Sequence, residues 1–402
     1  MLEWIPVRTV LRRSGVPYLL ATSFVGRLPS SMAALALVRL VVDAGGGYAF
    51  GSTVTATYIL GGMIGQPVLA RVVDRTGRRR PVLVGAAVAA TIGFVVTAFT
   101  VASLPWLALG AVLVAGLATP PLESVLRSLW TVLFLDPVER NSAYAVDAAV
   151  QELAFVIGPL LTAVGILVFG AAGNVFAMAA AGLVGAVAFA AHPRIRRTDP
   201  IKPEGAHGSP LLRAPFVRLL ILVIAIAAPV GALTINATAY AEMAGDPSIS
   251  SWAIALNGFG ALTGALLTAR FPFRAAPERL VRRLGVMMAA LYLPTAFFGA
   301  PVWLWLTFAA ISGLLLPVLL TQVFALTPAL VDAHHGNEAN AWVISAFAVG
   351  NAGGTILTGQ ILGAAGTSAG ITIAAVACGA IGMLGSAQAG RRALRRVDES
   401  VA

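Results

Sequence analysis

The sequence predicts an all-α membrane protein of twelve transmembrane helices in two six-helix bundles, and three observations carry that reading. Of the 402 residues, 58% are hydrophobic and only 11% are charged, far from the balance of a water-soluble domain. Apolar runs follow one another between short polar breaks, and each is near the ~20 residues a helix needs to cross a hydrocarbon core of roughly 30 Å. Finally, the basic residues recur on alternate breaks, as they do when one side of a bilayer retains positive charge.

In chain order the runs cover 16–42, 48–73, 81–101, 104–135, 141–170, 173–191, 215–243, 250–270, 281–300, 302–330, 337–364 and 369–389. The first follows Arg8, Arg12 and Arg13, as the core of a secretory signal would, but it is too long for one and carries Arg27 in its middle. It is read as a span. With the N-terminus in the cytoplasm, the inner breaks hold 24 of the 27 basic residues and the outer breaks hold none. Both termini are therefore expected to be cytoplasmic and the chain to lie in the plasma (cytoplasmic) membrane. Orientation accounts for the net charge of +10, and no nucleic-acid partner is expected. Trp106, Trp303 and Trp305 fall at the opposite ends of their runs, where an aromatic belt would sit. Cys378 is the single cysteine and is expected to pack in the last helix without a disulfide.

A long polar break rich in Pro, Arg and Gly lies near the midpoint. It divides the chain into an N-terminal bundle (1–192), a cytoplasmic central loop (193–214) and a C-terminal bundle with a short cytoplasmic tail (215–402). The stretch ARVVDRTGRRRPVLVGAAVAA from Ala70 has a faded echo in ARFPFRAAPERLVRRLGVMMAA from Ala269, an offset of 199 residues that also carries Trp106 onto Trp305. Two parallel six-helix repeats are one way of building a secondary transporter, with its substrate site between them near the bilayer midplane.

Residues 70–80 resemble the loop signature between the second and third helices of the major facilitator superfamily, Gly-x-x-x-Asp-Arg-x-Gly-Arg-Arg/Lys-Arg/Lys. Asp74, Arg75, Gly77, Arg78, Arg79 and Arg80 match, and Ala70 replaces the leading glycine. Physically, Gly77 allows a tight turn between antiparallel helices and the arginines hold that turn against an anionic lipid surface. The resemblance implies a second role, in which Asp74 meets the start of the eleventh helix when the carrier faces outward. That start is HHGNEANAW, where Asn337 is a candidate N-cap and the orphan N–H groups favour an anion. Asp74, Arg75, Gly77 and Arg78 are thus candidates for a conformational latch as well as an anchor.

Ionisable residues inside a membrane are costly and mark candidate sites. Glu123 and Glu152 each lie about twelve residues from the cytoplasmic end of their run, roughly 18 Å deep. Arg127 and Asp147 are expected to pair one turn nearer the cytoplasm, and Glu123 and Arg127 have the i,i+4 spacing of an ion pair. Two readings stand: an ion network that fixes helix packing, or an acid that exchanges a proton while Arg27 or Arg127 competes for it. The resemblance implies that the first and fourth helices line the central cavity, which favours Arg27 and Glu123 for substrate or proton contact, with Glu152 the other candidate. The second half has Glu242 and Asp246 only at the outer end of a run, so it is expected to contribute the neutral groups Asn236, Asn257, Gln322 and Asn351.

Gly158 and Pro159 predict a kink or a tight packing seam. They also resemble the Gly-Pro antiporter signature of exporters in the superfamily, although Ala154, Thr162 and Ala163 stand where that signature has glycines. GNAGGTILTG, 350–359, is read as close packing or a hinge. His334, His335 and Glu338 lack further ligands nearby and are read as a solvated helix cap, so no metal is expected. No phosphate-binding loop is present and no cofactor is expected. An intramembrane enzyme would need a nucleophile and base at depth, for which no His or Cys is suited, and a receptor that binds without carrying is a further class. The expected function is a proton-coupled exporter (antiporter) of small amphipathic or drug-like molecules, working by alternating access. The alternative is a uniporter or proton-coupled importer of sugars or other polar metabolites. Expected partners are the small-molecule substrate, protons and the lipid bilayer, with the chain acting as a monomer.

Overall fold

The computed structural model describes residues 7–196, 209–246, 248–270 and 277–365. Among the described residues the regular structure is entirely helical, as the apolar runs predict. A short α1 (Val7–Arg12) precedes α2 (Val16–Asp43), α3 (Tyr48–Thr76) and α4 (Arg79–Thr100), which match the first three runs. The fourth run is not one helix but two, α5 (Pro105–Leu117) and α6 (Leu122–Leu133). Pro120 and Pro121 in tandem supply no backbone N–H, so the ladder stops there.

The fifth and sixth runs form a single helical tract, α7 (Pro137–Ala191), broken at Gly170, where φ is 72° and ψ 174°. Its 55 residues would reach about 80 Å if straight, far beyond one bilayer core. A side chain on Gly165 would collide with Asn174, nine residues on, so the chain folds back on itself there.

After α8 (Pro193–Arg196), the second half begins with α9 (Ala214–Ala244) and α10 (Ser248–Arg270). Asp246 accepts the Ser248 N–H at 2.9 Å ahead of α10, and hydrogen bonds from Ser248 hold its carboxyl below the usual carboxylate range. α11 (Pro277–Tyr292) runs into a 3-10 turn, Leu293–Ala296. The tenth run is again two helices, α12 (Val302–Gly313) and α13 (Leu315–Leu330), because Pro317 cannot donate to Gly313. The first helix of this pair ends 196 residues after α5 does, close to the 199-residue offset of the sequence echo. α14 (Gly336–Ala365) matches the eleventh run, while the twelfth run, with Cys378, lies outside the described residues. Nine of the described helical stretches are long and apolar enough to cross a membrane.

α2 packs along α7, and α14 along α9. At the first seam a Cβ on Gly158 would fall 2.4 Å from Ser31 Oγ, so only glycine permits this approach. The backbone at Pro159 stays helical and its ring is exposed, which makes the Gly-Pro pair a packing seam and not the kink. Gly350 and Gly354 likewise lie against the Ile224 and Ala228 carbonyls, so the glycine-rich stretch is a close-packed one.

Trp106 and Trp303 are exposed, but Trp305 departs from the expected belt. It is fully buried, stacked on Tyr240 at 4.6 Å, and donates Nε1–H to the Thr295 carbonyl at 3.0 Å. Two residues apart on a helix, Trp303 and Trp305 point to nearly opposite faces, and only one can meet lipid.

Candidate functional site

α3 ends at Gly77, whose φ of 64° turns the chain into α4. Asp74 lies in the last turn of α3 and faces the start of α14 from the other half of the chain. Its Oδ2 accepts the Glu338 N–H at 2.7 Å, and its Oδ1 accepts Asn337 Nδ2 at 2.5 Å and the Asn337 N–H at 3.4 Å. The first N–H groups of a helix have no partner within it and sit at its positive end, so a carboxylate from another helix caps them well. Asn337 is therefore not the N-cap expected from sequence. Its amide bridges instead, donating to Asp74 and accepting from Ser128 Oγ at 2.6 Å.

Glu338 also departs from expectation. It is fully buried, not solvated, and its Oε1 pairs with Arg71 at 2.6 Å while accepting from Ser209 Oγ at 3.0 Å and Trp342 Nε1 at 3.3 Å. The buried acid needs such partners once α14 is pressed against α3. Arg75 and Arg78 remain exposed at the basic end. Further contacts between the halves lie on the same side, with Ser345 Oγ donating to the Met63 carbonyl at 2.8 Å and Asn340 Nδ2 to the Ser124 carbonyl at 3.5 Å.

Deeper in the bundle, Asp147 is fully buried between two arginines, accepting Arg27 Nη2 at 2.5 Å and Arg127 Nε at 2.8 Å. Arg127 also pairs with Glu123 at 2.5 Å and lies 3.6 Å from the ring centre of Phe324, which comes from the other half. Arg27 uses its remaining amino group on Gln151 Oε1 at 2.8 Å. The two cations and two acids balance, which is how a buried charge cluster avoids an uncompensated desolvation cost. Arg27 is turned toward Asp147 and Gln151 rather than Glu123 and is 7% exposed; it does not line the cavity, contrary to the expectation of substrate contact. Asp147, lying between the arginines, claims it.

A cavity of about 820 Å³ opens beside this cluster, bordered by α6, α7, α9, α10, α13 and α14. Glu123, Arg127, Tyr144, Gln151 and Glu152 form its polar end, and aliphatic and aromatic side chains form most of the remainder. Glu152 has no hydrogen-bond or ion-pair partner among the described residues. Of the four neutral groups expected from the second half, Asn257 and Asn351 line the cavity, whereas Asn236 and Gln322 are buried away from it. Asn257 is already engaged, donating to Ser312 Oγ and the Ala309 carbonyl, each at 3.0 Å.

Sequence reasoning missed Arg71, Gln151, Phe324 and Ser209. Arg71 and Gln151 had a signal, since Arg71 sits one turn before Asp74 and Gln151 one turn after Asp147. Ser209 and Phe324 had none.

Comparison with known proteins follows the same lines. The sequence matches the family model for the Major Facilitator Superfamily over residues 19–301. No curated protein sequence matches it. Among solved structures, the fold is similar to the human organic anion transporter MFSD10 (TETRAN), 15% identical with a TM-score of 0.73, covering 95% of this chain and 99% of that one. It is similar also to a bacterial homologue of the iron transporter ferroportin in an outward-facing state, at 12% identity and a TM-score of 0.74, covering 97% and 99%. The E. coli fucose:proton symporter FucP matches at 13% identity with a TM-score of 0.72, covering 93% and 98%. At these identities the likeness is one of fold. Helices long enough to span a bilayer, the loop at 70–80 and the family match over most of the chain agree: this is an integral membrane transporter, not an enzyme, and it belongs to the major facilitator superfamily.

Proposed function

We propose that the chain is a proton-coupled exporter of small amphipathic or drug-like molecules, working by alternating access across the plasma membrane with both termini in the cytoplasm. The observation that carries this reading is Glu152, an acid with no hydrogen-bond or ion-pair partner among the described residues, in the wall of a largely apolar cavity. The neighbouring cluster is already neutral in sum, so among the described residues no free cation competes at Glu152 for a proton or for the polar end of a cargo molecule. Exchange of one for the other at this carboxylate is antiport.

The predominantly apolar wall supports an amphipathic cargo over a sugar: of its polar side chains, Glu123 and Arg127 are paired with each other and Asn257 and Thr321 already donate within the protein, which leaves few groups for a sugar's hydroxyls. Asp74 on the start of α14 is the proposed latch. It holds the basic ends of the halves together and closes the cavity to the cytoplasm, and it must let go for the carrier to face inward.

The test uses everted membrane vesicles energised to acidify the lumen, with candidate amphiphiles added and collapse of the pH gradient followed. Wild type should collapse the gradient and Glu152→Gln should not, while Glu123→Gln, which leaves the cluster one positive charge in excess beside Glu152, should collapse it more weakly. Tracer flux of a sugar without proton movement, unaffected by Glu152→Gln, would overturn antiport and favour the uniporter reading.

A further inference from the structure

We infer that in this state, latched at its basic end, the cavity exchanges cargo with the membrane sideways, between α7 and α10 at the level of the outer leaflet, so that an exported amphiphile is released into the bilayer by this route. This rests on the transporter reading above. Its basis is where the cavity wall is open. Among the lining residues, the exposed ones are Phe155, Val156 and Leu160 on α7 and Ser251, Ile254 and Ala255 on α10. Phe155, Leu160 and Ile254 are each more than half exposed, whereas the lining residues of α6, α9, α13 and α14 are buried or half-buried. A mouth opening straight to external water would expose α9 and α14 as well, and it does not.

The two helices are antiparallel and share a small core of Ala148, Ala149 and Ala265 toward their basic ends. From that core, Leu160 lies about 18 Å along α7 and Ile254 about 16 Å along α10, so the two lips stand at matching height. On the opposite side the cavity is walled by α14, which is fastened to α3 through Ser345 and the Met63 carbonyl.

The chemistry of the gap is also that of lipid. Beyond Glu152 the rest of α7 carries no charged residue, and α10 carries none before Arg270. The lips run directly into faces that meet the bilayer, Val164 and Val168 on one side and Trp252 and Phe259 on the other. A hydrated ion would meet Ser251 as the one polar side chain among these exposed lining residues, while an alkyl chain or aromatic body crosses within apolar surroundings. Its polar end then reaches Gln151 and Glu152, where an acidic head would be repelled.

The test is photolabelling of the full chain in vesicles of phosphatidylcholine and phosphatidylglycerol that contain a single-chain lysophosphatidylcholine with a diazirine on its acyl chain. Adducts are mapped by mass spectrometry. Lateral entry predicts adducts on interior wall residues such as Phe324 and Phe347 in addition to the outer surface at Phe259 and Leu267. In Val156→Trp/Ala255→Trp, which narrows the lips, the interior adducts should be lost while the surface adducts persist and report a folded protein. Labelling confined to the outer surface in the wild type, or interior labelling that survives the double substitution, would overturn the route. Because the pH-gradient assay reads transport without reference to the path of entry, gradient collapse in the absence of interior labelling would sink the lateral route alone.

Discussion

Replacing Asp74 by Asn tests the latch with the least change in shape. The carboxylate accepts three hydrogen bonds from the start of α14, the shortest from a backbone N–H being that of Glu338 at 2.7 Å. An amide can keep one acceptor on Asn337, but it then presents a donor to the Glu338 N–H, which loses its partner. Hydrogen bonds to charged groups contribute about 1.5–3 kcal/mol against roughly 1 for neutral ones, and the charge at a helix N-terminus adds ~0.5 kcal/mol or more. The latched state should therefore lose about 3 kcal/mol, roughly a 150-fold shift toward the unlatched state. Nitroxides on Thr76→Cys and Ala329→Cys, in a Cys378→Ser background, would sit on the basic ends of the two halves and report their separation by pulsed electron paramagnetic resonance. The wild type should give a single short distance and Asp74→Asn a dominant longer one. Coincident distance distributions, together with equal transport rates at matched expression, would refute the latch and leave the loop as an anchor.

Three other outcomes follow from the packing. Asp147→Ala strands Arg27 and Arg127 inside the bundle and should destabilise the detergent-solubilised protein by about 3–5 kcal/mol, seen as a large fall in melting temperature; Arg27→Met combined with Asp147→Leu should recover much of it, and an unchanged melting temperature in the single variant would mean that the cluster is solvated. Gly158→Ala drives a methyl into Ser31 at the seam of α2 and α7 and should cost about 1–3 kcal/mol, with partial recovery when Ser31→Gly is added; no loss of stability would show that the seam gives way. Phe324→Leu removes the aromatic face beneath the Arg127 guanidinium and should lower stability by about 1–2 kcal/mol, which Phe324→Tyr should not, and equal effects from both would rule out the ring's face as the cause.

The broad fold was legible because span length and the side retaining positive charge are both written along one dimension. Where the structure departs, the missing information was local or lateral. The tandem Pro120-Pro121 could have announced the break in the fourth run, but Pro317 alone did so less clearly, since a single proline in a membrane helix is often accommodated. Depth along a helix placed Glu123, Arg127, Asp147 and Glu152 within one zone. Depth does not say which neighbour each faces, and the resemblance, which favours Arg27 for the cavity, does not say that Asp147 turns it away. The same blindness to azimuth left Asn257 and Asn351 indistinguishable from Asn236 and Gln322. Asp74 was directed to the start of α14 by resemblance, and the physical argument added only why an anion fits there. Ser209 lies at the end of an irregular loop with no periodicity to read, so its place beside Arg71 and Glu338 could come only from the fold.

On the proposed reading, the charge cluster and the latch are linked by two rigid helices. α6 presents Glu123 and Arg127 to the cluster and, one residue further along, Ser124 and Ser128 to α14. α14 in turn holds Asp74 through its first residues and lines the cavity from Val343 to Asn351. A change of charge or occupancy that rotates α6 must therefore disturb Ser128 on Asn337, and with it the amide that holds Asp74. Reversing a two-state preference from about 1:99 to 99:1 takes roughly 5.5 kcal/mol, and a few charge-assisted bonds at ~1.5–3 kcal/mol each are of that order. This is a physical reason for fastening the halves with carboxylates, amides and an arginine at a helix end. A seam of equal strength made from apolar side chains would hold the halves as well, but it would not respond to the arrival or departure of a proton.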